Sequence, residues 1–195
     1  MRRRVVGFAG LVVVLVLLGL GSARAAEPVW DALRGGGQIV MLRHASTEPG
    51  LGDPPGFRLD DCATQRNLSE AGRAEARRIG AAFVLRAVPV ARVLSSRWCR
   101  CVETARLAFG RVESWASLDS FFDDRSREPQ QTRSVHALIA EPLTGGNLIL
   151  VTHQVNIAAL TGIAPATGEM IVLSPEPGRS FKLVGRLGPA DVSGN

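Results

Sequence analysis

Gln38-Ile39-Val40-Met41-Leu42-Arg43-His44-Ala45-Ser46-Thr47-Glu48 is the stretch that decides the fold. Ile39, Val40, Met41 and Leu42 are an unbroken apolar run of strand length, and Gly35-Gly36-Gly37 breaks the chain in front of them. The run predicts a short buried strand. A buried parallel strand delivers its carboxyl end to the crevice where α/β proteins bind ligands. Arg43 and His44 stand at that end. A guanidinium and an imidazole there point to an anion site with a nucleophile beside it.

The rest of the chain repeats the pattern. Residues 28–34 predict a short helix with Pro28 in its first turn. Residues 48–61 are rich in Gly and Pro and predict a loop. Ser69 is the expected N-cap of a helix running to about Arg86, with Ala76, Ile79, Ala82 and Phe83 on one face. A second short strand follows at Val90–Leu94, then a helix from about Arg97 to Phe109 with Gly110 behind it as the stop. Val112–Leu118 predicts an edge strand, Phe121–Arg127 a polar loop and Gln130–Glu141 a helix. Asn147–Thr152 is another buried strand with His153 at its end, and a short helix follows from Gln154. Glu169–Leu173 and Ser180–Val184 predict a final strand pair joined through Pro175–Gly178, and Gly188–Asn195 a frayed end. Strands alternating with helices imply an α/β fold, a three-layer αβα sandwich around a mostly parallel central sheet.

The first 25 of the 195 residues read differently. Arg2-Arg3-Arg4, the apolar run Val5–Leu20 and the small-x-small site Ala23-Arg24-Ala25 have the three parts of a secretory signal peptide. The alternative is an uncleaved membrane anchor, since the run is long for a signal. Cleavage leaves residues 26–195 as one domain, periplasmic or secreted, with no stable membrane insertion. Four of the 23 basic residues lie at positions 2, 3, 4 and 24, leaving 19 against 18 acidic ones. The charge therefore gives no ground for a nucleic-acid partner. Cys62, Cys99 and Cys101 allow one disulfide in an exported chain. Cys62 is expected to pair with Cys99 or Cys101, because bridging Cys99 to Cys101 would close a very short loop. Closing the longer loop stabilises by about 3–4 kcal/mol in the chain-entropy model. A C-x-C pair alone has too few ligands for a metal, so none is expected.

Three strand ends carry reactive groups: Arg43 and His44; Ser95 and Ser96 with Arg100 beyond them; and His153. If those strands are neighbours, two imidazoles and two guanidinium groups converge, and a helix start adds free N–H groups. Arg forks match phosphoryl oxygens, and a neutral imidazole can attack phosphorus.

Arg43-His44-Ala45-Ser46-Thr47-Glu48 resembles the Arg-His-Gly signature of the histidine phosphatase, or phosphoglycerate mutase-like, superfamily. Leu68-Ser69-Glu70-Ala71-Gly72-Arg73-Ala74-Glu75-Ala76 is similar to its Leu-Thr-x-x-Gly-x-x-Gln-Ala segment. Ser95-Ser96-x-x-x-Arg100-x-x-Glu103-Thr104-Ala105 is similar to its Ser-x-x-x-Arg-Ala-x-Gln-Thr-Ala segment. Val151-Thr152-His153 is similar to its second-histidine strand. The resemblance implies that His44 becomes phosphohistidine, with Arg43, Arg100 and His153 on the phosphate oxygens and Ser46 and Thr47 as further substrate contacts. It implies a metal-independent phosphatase without cofactor, acting on a small phosphorylated substrate or a phosphorylated component of the cell envelope.

The departures from the pattern matter. Ala45 replaces Gly, and Gln154 stands where acid phosphatases of the family have Asp. No motif singles out a proton donor among Asp123, Asp124 and Glu128. A catalytically weak protein that binds phosphate or phosphoglycan is therefore the alternative. The small size resembles the compact branch, and the loop Asp53–Arg66 is the expected wall of the site, with Arg58 or Arg66 reaching a second anionic group.

Overall fold

The fold is seen in a computed structural model that describes residues 26–176 and 179–192. The elements are α1 (residues 26–34), β1 (Ile39–Arg43), α2 (Glu70–Leu85), β2 (Val90–Ser95), α3 (Cys99–Phe109), β3 (Glu113–Ser114), α4 (Glu128–Ile139), β4 (Asn147–Thr152), α5 (Gln154–Thr161), β5 (Met170–Glu176) and β6 (Arg179–Leu187). They build one six-stranded sheet in the order β3-β2-β4-β1-β5-β6. β3, β2, β4 and β1 run parallel, β5 runs antiparallel beside β1, and β6 runs antiparallel beside β5.

The continuous apolar run of β1 is explained by burial on both sides. Successive side chains point to opposite faces of a sheet. Val40 and Leu42 join a core with Trp30 and Leu33 of α1, Ile79 and Phe83 of α2, and Ala105 of α3. Ile39 and Met41 join the opposite core with Val135 and Ile139 of α4 and Ile157 of α5. Three helices thus cover one face and two the other, the three layers expected. Each such fully buried side chain contributes about 1.5–3 kcal/mol.

Local signals hold where they were strong. Ser69 Oγ accepts a hydrogen bond from the Gly72 N–H and starts α2. Gly110 closes α3 in the left-handed conformation, with φ of 69°. α2 and α3 cross at Gly80, where a Cβ would lie 2.1 Å from the Ala108 carbonyl oxygen. No side chain can move aside, because the obstacle is backbone. Gly80→Ala is therefore expected to destabilise the fold by about 3 kcal/mol, the upper part of the overpacking range, read as a lowered urea midpoint at unchanged m-value.

Other expectations need correction. The strand expected over Val112–Leu118 shrinks to Glu113–Ser114, followed by a 3₁₀ turn at Ala116–Leu118. The chain leaves the sheet edge there to bury Leu118 and Asp119. Residues 188–192 are not frayed: Gly188 and Asp191 close a turn, and Val192 packs into the core. The signal-peptide reading falls on residues 1–25, and part of the Pro175–Gly178 connection and the last three residues likewise lie outside the described residues. Among the described residues, no helix is long and apolar enough to cross a membrane.

Candidate active site

Strand register alone assembles the site. Arg43 of β1 pairs across from Thr152 of β4, and Ser95 of β2 from Val151. The next residues, His44 and His153, therefore emerge side by side, and their ring centroids lie 5.5 Å apart. The His44 N–H continues the ladder to the Thr152 carbonyl at 3.0 Å, and the Ser96 N–H to that of Val151 at 2.9 Å. Both imidazoles are therefore mounted on backbone that belongs to the sheet.

His44 is held in one tautomer. Its Nδ1 lies 2.9 Å from the Ala45 carbonyl oxygen. A carbonyl only accepts, so Nδ1 carries the proton and Nε2 keeps its lone pair. Nε2 has no hydrogen-bond partner among the described residues. Burial first, then the positive charge of Arg100, pushes the His44 pKa down from 6.5 to about 3, against the opposing Ala45 hydrogen bond. The ring is thus neutral and nucleophilic across the physiological range.

His153 is engaged through the other nitrogen. Its Nε2 lies 2.8 Å from the Ser96 hydroxyl, which leaves Nδ1 for the cavity. Burial, then Arg100, lowers its pKa as well. The Trp98 ring packs edge-on against it at 5.4 Å. The Cys101 thiol lies 3.5 Å from Nε2, and burial pushes its pKa up to about 12, so it stays an inert thiol.

Three guanidinium groups surround the imidazoles. Arg43 donates through Nη1 to the Pro165 carbonyl at 2.8 Å. Arg66 donates to Thr47 Oγ1 at 2.6 Å and to the Gly52 carbonyl at 2.7 Å. Arg100, only 5% exposed, grips Asp53 with both terminal nitrogens, at 2.7 and 3.1 Å. The Nε–H groups of Arg43 and Arg100 are buried without a partner. Orphaned buried donors are rare and costly, and two of them beside two neutral imidazoles suit a tetrahedral oxyanion.

Residues 39–132 match the model of the histidine phosphatase superfamily (branch 1). These residues thus form a domain of the histidine phosphatase superfamily. Solved structures of similar fold include the protein histidine phosphatase SixA complexed with tungstate, at 15% identity and a TM-score of 0.59, covering 80% of this chain and 99% of that one. A mycobacterial glucosyl-3-phosphoglycerate phosphatase aligns at 19% identity and a TM-score of 0.56, covering 75% of this chain and 96% of its own. A phosphoserine phosphatase from Entamoeba histolytica, in complex with 3-phosphoglyceric acid, aligns at 10% identity and 0.58, covering 77% and 96%. No curated protein matches the chain in a sequence search.

His44, Arg43 and Arg100 of this histidine phosphatase domain and His153 beyond the matched residues line one cavity of about 540 Å³. Leu51, Phe122, Val155, Ala158 and Ala159 form its apolar wall. Ser46 and Thr47, expected at the substrate, do not line it. The Ser46 N–H and hydroxyl both donate to Glu75, and Thr47 Oγ1 accepts from Arg66, so the two residues brace the frame. Of the expected proton donors, exposed Asp123 and partly exposed Glu128 line the rim, Glu128 pairing with Arg125 at 3.2 Å. Asp124 is away from the cavity and caps the turn at Arg125–Arg127 through the Ser126 N–H. Arg66 lines the cavity, whereas Arg58 is exposed and pairs with Asp61. The start of α3 offers fewer free donors than expected: the N–H groups of Arg97, Trp98 and Cys99 bond to Asp119, Ser96 and Gln65.

The disulfide forms between Cys62 and Cys99, and Cys101 is free and buried. It fastens the loop of residues 50–66 to the start of α3, one residue from Arg100. Among the described residues, no three His, Cys, Asp or Glu side chains gather as metal ligands do. The sequence reading missed Asp53, whose only local setting is a Gly-Pro loop.

Proposed function

We propose that the protein is an exported phosphatase that hydrolyses a phosphomonoester or phosphoramidate through a covalent phosphohistidine intermediate on His44. The observation that carries this reading is the His44 tautomer: Nδ1 is tied to the Ala45 carbonyl and the Nε2 lone pair is free in a cavity lined by Arg43, Arg100 and His153. Nε2 attacks phosphorus, and the bond to the leaving group breaks with its electron pair going to the departing oxygen or nitrogen. That atom takes up a proton. Water then attacks the phosphoimidazole, the P–N bond breaks, and the water's proton leaves as inorganic phosphate and neutral His44 form. Arg43, Arg100 and His153 stabilise charge on the equatorial oxygens through donors held in place by Pro165, Asp53 and Ser96. No step needs a metal or a cofactor, since nucleophile and oxyanion donors are all side chains of this chain.

Export is supported by the N-terminal signal pattern and by a disulfide, which persists in oxidising compartments. A fold neighbour complexed with tungstate, a tetrahedral oxyanion, supports the anion site. The cavity also extends well past a phosphoryl group, which leaves room for a substantial leaving group on the apolar side.

The test is hydrolysis of phosphate esters of graded leaving-group pKa by chelator-treated protein. A positioned acid contributes about 10²–10⁴-fold by protonating the departing oxygen. Asp123 and Glu128 stand on the open rim, so kcat/KM is expected to rise steeply as leaving-group pKa falls. Asp123→Asn and Glu128→Gln are expected to leave that slope unchanged. A flat slope that steepens in one of them identifies that residue as the acid. No hydrolysis with retained phosphate binding supports a binding protein instead.

A further inference from the structure

We infer that Asp53 is a positioning residue that sets the Arg100 guanidinium for the phosphoryl group, an inference that rests on the phosphatase reading above. Four N–H donors converge on its buried carboxylate. Arg100 Nη1 and the Arg66 backbone N–H reach Oδ1 at 2.7 and 3.0 Å. Arg100 Nη2 and the Trp98 indole N–H reach Oδ2 at 3.1 and 2.9 Å.

Every contact is a donor, so a proton on Asp53 would face another proton. Burial alone would raise its pKa, but the Arg100 hydrogen bonds and charge, with those from Arg66 and Trp98, outweigh it and hold it below the usual value. Asp53 is therefore neither the missing acid nor a competitor for that role, although it lines the same cavity.

What the carboxylate does is geometric. A two-point grip fixes the plane of a guanidinium, where a single contact would let it rotate. The grip takes the two terminal nitrogens and leaves Nε–H as the partnerless donor. It also supplies the counter-charge that a buried Arg requires while the site holds no anion. The carboxylate's own position is fixed from both sides of the site. Its chain neighbourhood is tied through Arg66 to Thr47, two residues from Ala45, and through the Cys62–Cys99 bridge to the residue before Arg100. The loop that walls the cavity thus also aims one of its phosphate ligands.

Asp53→Asn is nearly isosteric but turns two of the four contacts donor-to-donor. It is to be measured beside Arg100→Ala and the double variant, as kcat/KM on an aryl phosphate and as inorganic phosphate affinity by calorimetry. Asp53→Asn is expected to lower kcat/KM by about 10–100-fold, as partners that orient a site's ligands commonly do, and to weaken phosphate in the same direction. In the Arg100→Ala background the same change is expected to alter kcat/KM by less than about threefold, because the two residues act as one unit. Wild-type values in Asp53→Asn, or an equal loss in both backgrounds, overturn the inference. The second result is what a merely structural role produces. Asp53→Glu, which keeps the charge but displaces it, decides in the same two backgrounds where the Asn variant does not fold. A wild-type protein that binds phosphate without hydrolysing any ester overturns the phosphatase reading instead, and the phosphate affinities then still decide the role of Asp53.

Discussion

His44→Ala is expected to lower kcat/KM for an aryl phosphate by about 10⁴–10⁶-fold, the scale seen when a covalent nucleophile is removed. Inorganic phosphate should still bind, because Arg43, Arg100 and His153 do not depend on the His44 ring for their positions. Arg43 is anchored by the Pro165 carbonyl, Arg100 by Asp53 and His153 by Ser96. The loss should therefore fall on kcat while phosphate affinity changes by about tenfold or less. Quenching wild-type protein with labelled substrate should trap an acid-labile, base-stable phosphoenzyme that His44→Ala lacks. Near-wild-type turnover in the variant would end the phosphohistidine mechanism. A trapped phosphoenzyme that survives the substitution would move the nucleophile elsewhere, with the buried Cys101 thiol an unsuitable choice at its raised pKa.

Acid sensitivity of the fold is the second large effect. The His44 pKa falls from 6.5 in the unfolded chain to about 3 in the native one, through burial first and Arg100 next. The unfolded state therefore takes up a proton that the native state refuses as pH drops below 6.5. Stability is complete above that pH and is lost as pH falls toward about 3, at up to about 1.4 kcal/mol per pH unit. Between pH 6.5 and 4.5 the His44 share is about 2–3 kcal/mol. His153, lowered by the same causes, adds in the same direction. Asp53 and Glu169, whose pKa values are depressed, begin to lose their contributions only as pH falls through the ordinary values of 3.8 and 4.5, so the window above 4.5 isolates the imidazoles. Urea midpoints of wild type and His44→Gln across that window should converge as pH falls. Parallel curves would show that the imidazole is not held neutral by the fold.

The residues expected to carry the chemistry and the residues that serve them differ in how they are encoded. Arg43, His44 and His153 were legible because each stands within two residues of the end of a buried apolar run, and a strand's end is where a sheet presents its ligands. Arg100 was legible through its spacing from Ser95-Ser96. Ser69 and Gly110 were legible because capping is a contact between near neighbours in the chain. The strand expected at Val112–Leu118 was misjudged for a tertiary reason: Asp119 is drawn inward to bond Arg97 and Ser96.

By itself the sequence determined the layers, the strands other than the short edge strand and the four residues that line the cavity, since hydrophobic period and strand termini are local properties. Only the tertiary structure decided which partners hold them. Asp53 meets Arg100 across 47 residues, Ser46 meets Glu75 across 29, and Ser96 meets His153 across 57. No local pattern encodes such pairs, because chain crossing and strand order bring them together. The choice of Cys99 over Cys101 shows the same division. Residues two apart on a helix point about 200° away from each other. One therefore faces Cys62 on the covering loop, and the other faces the core beneath His153. Which face was which depended on how α3 lies against the sheet, and that is a property of packing.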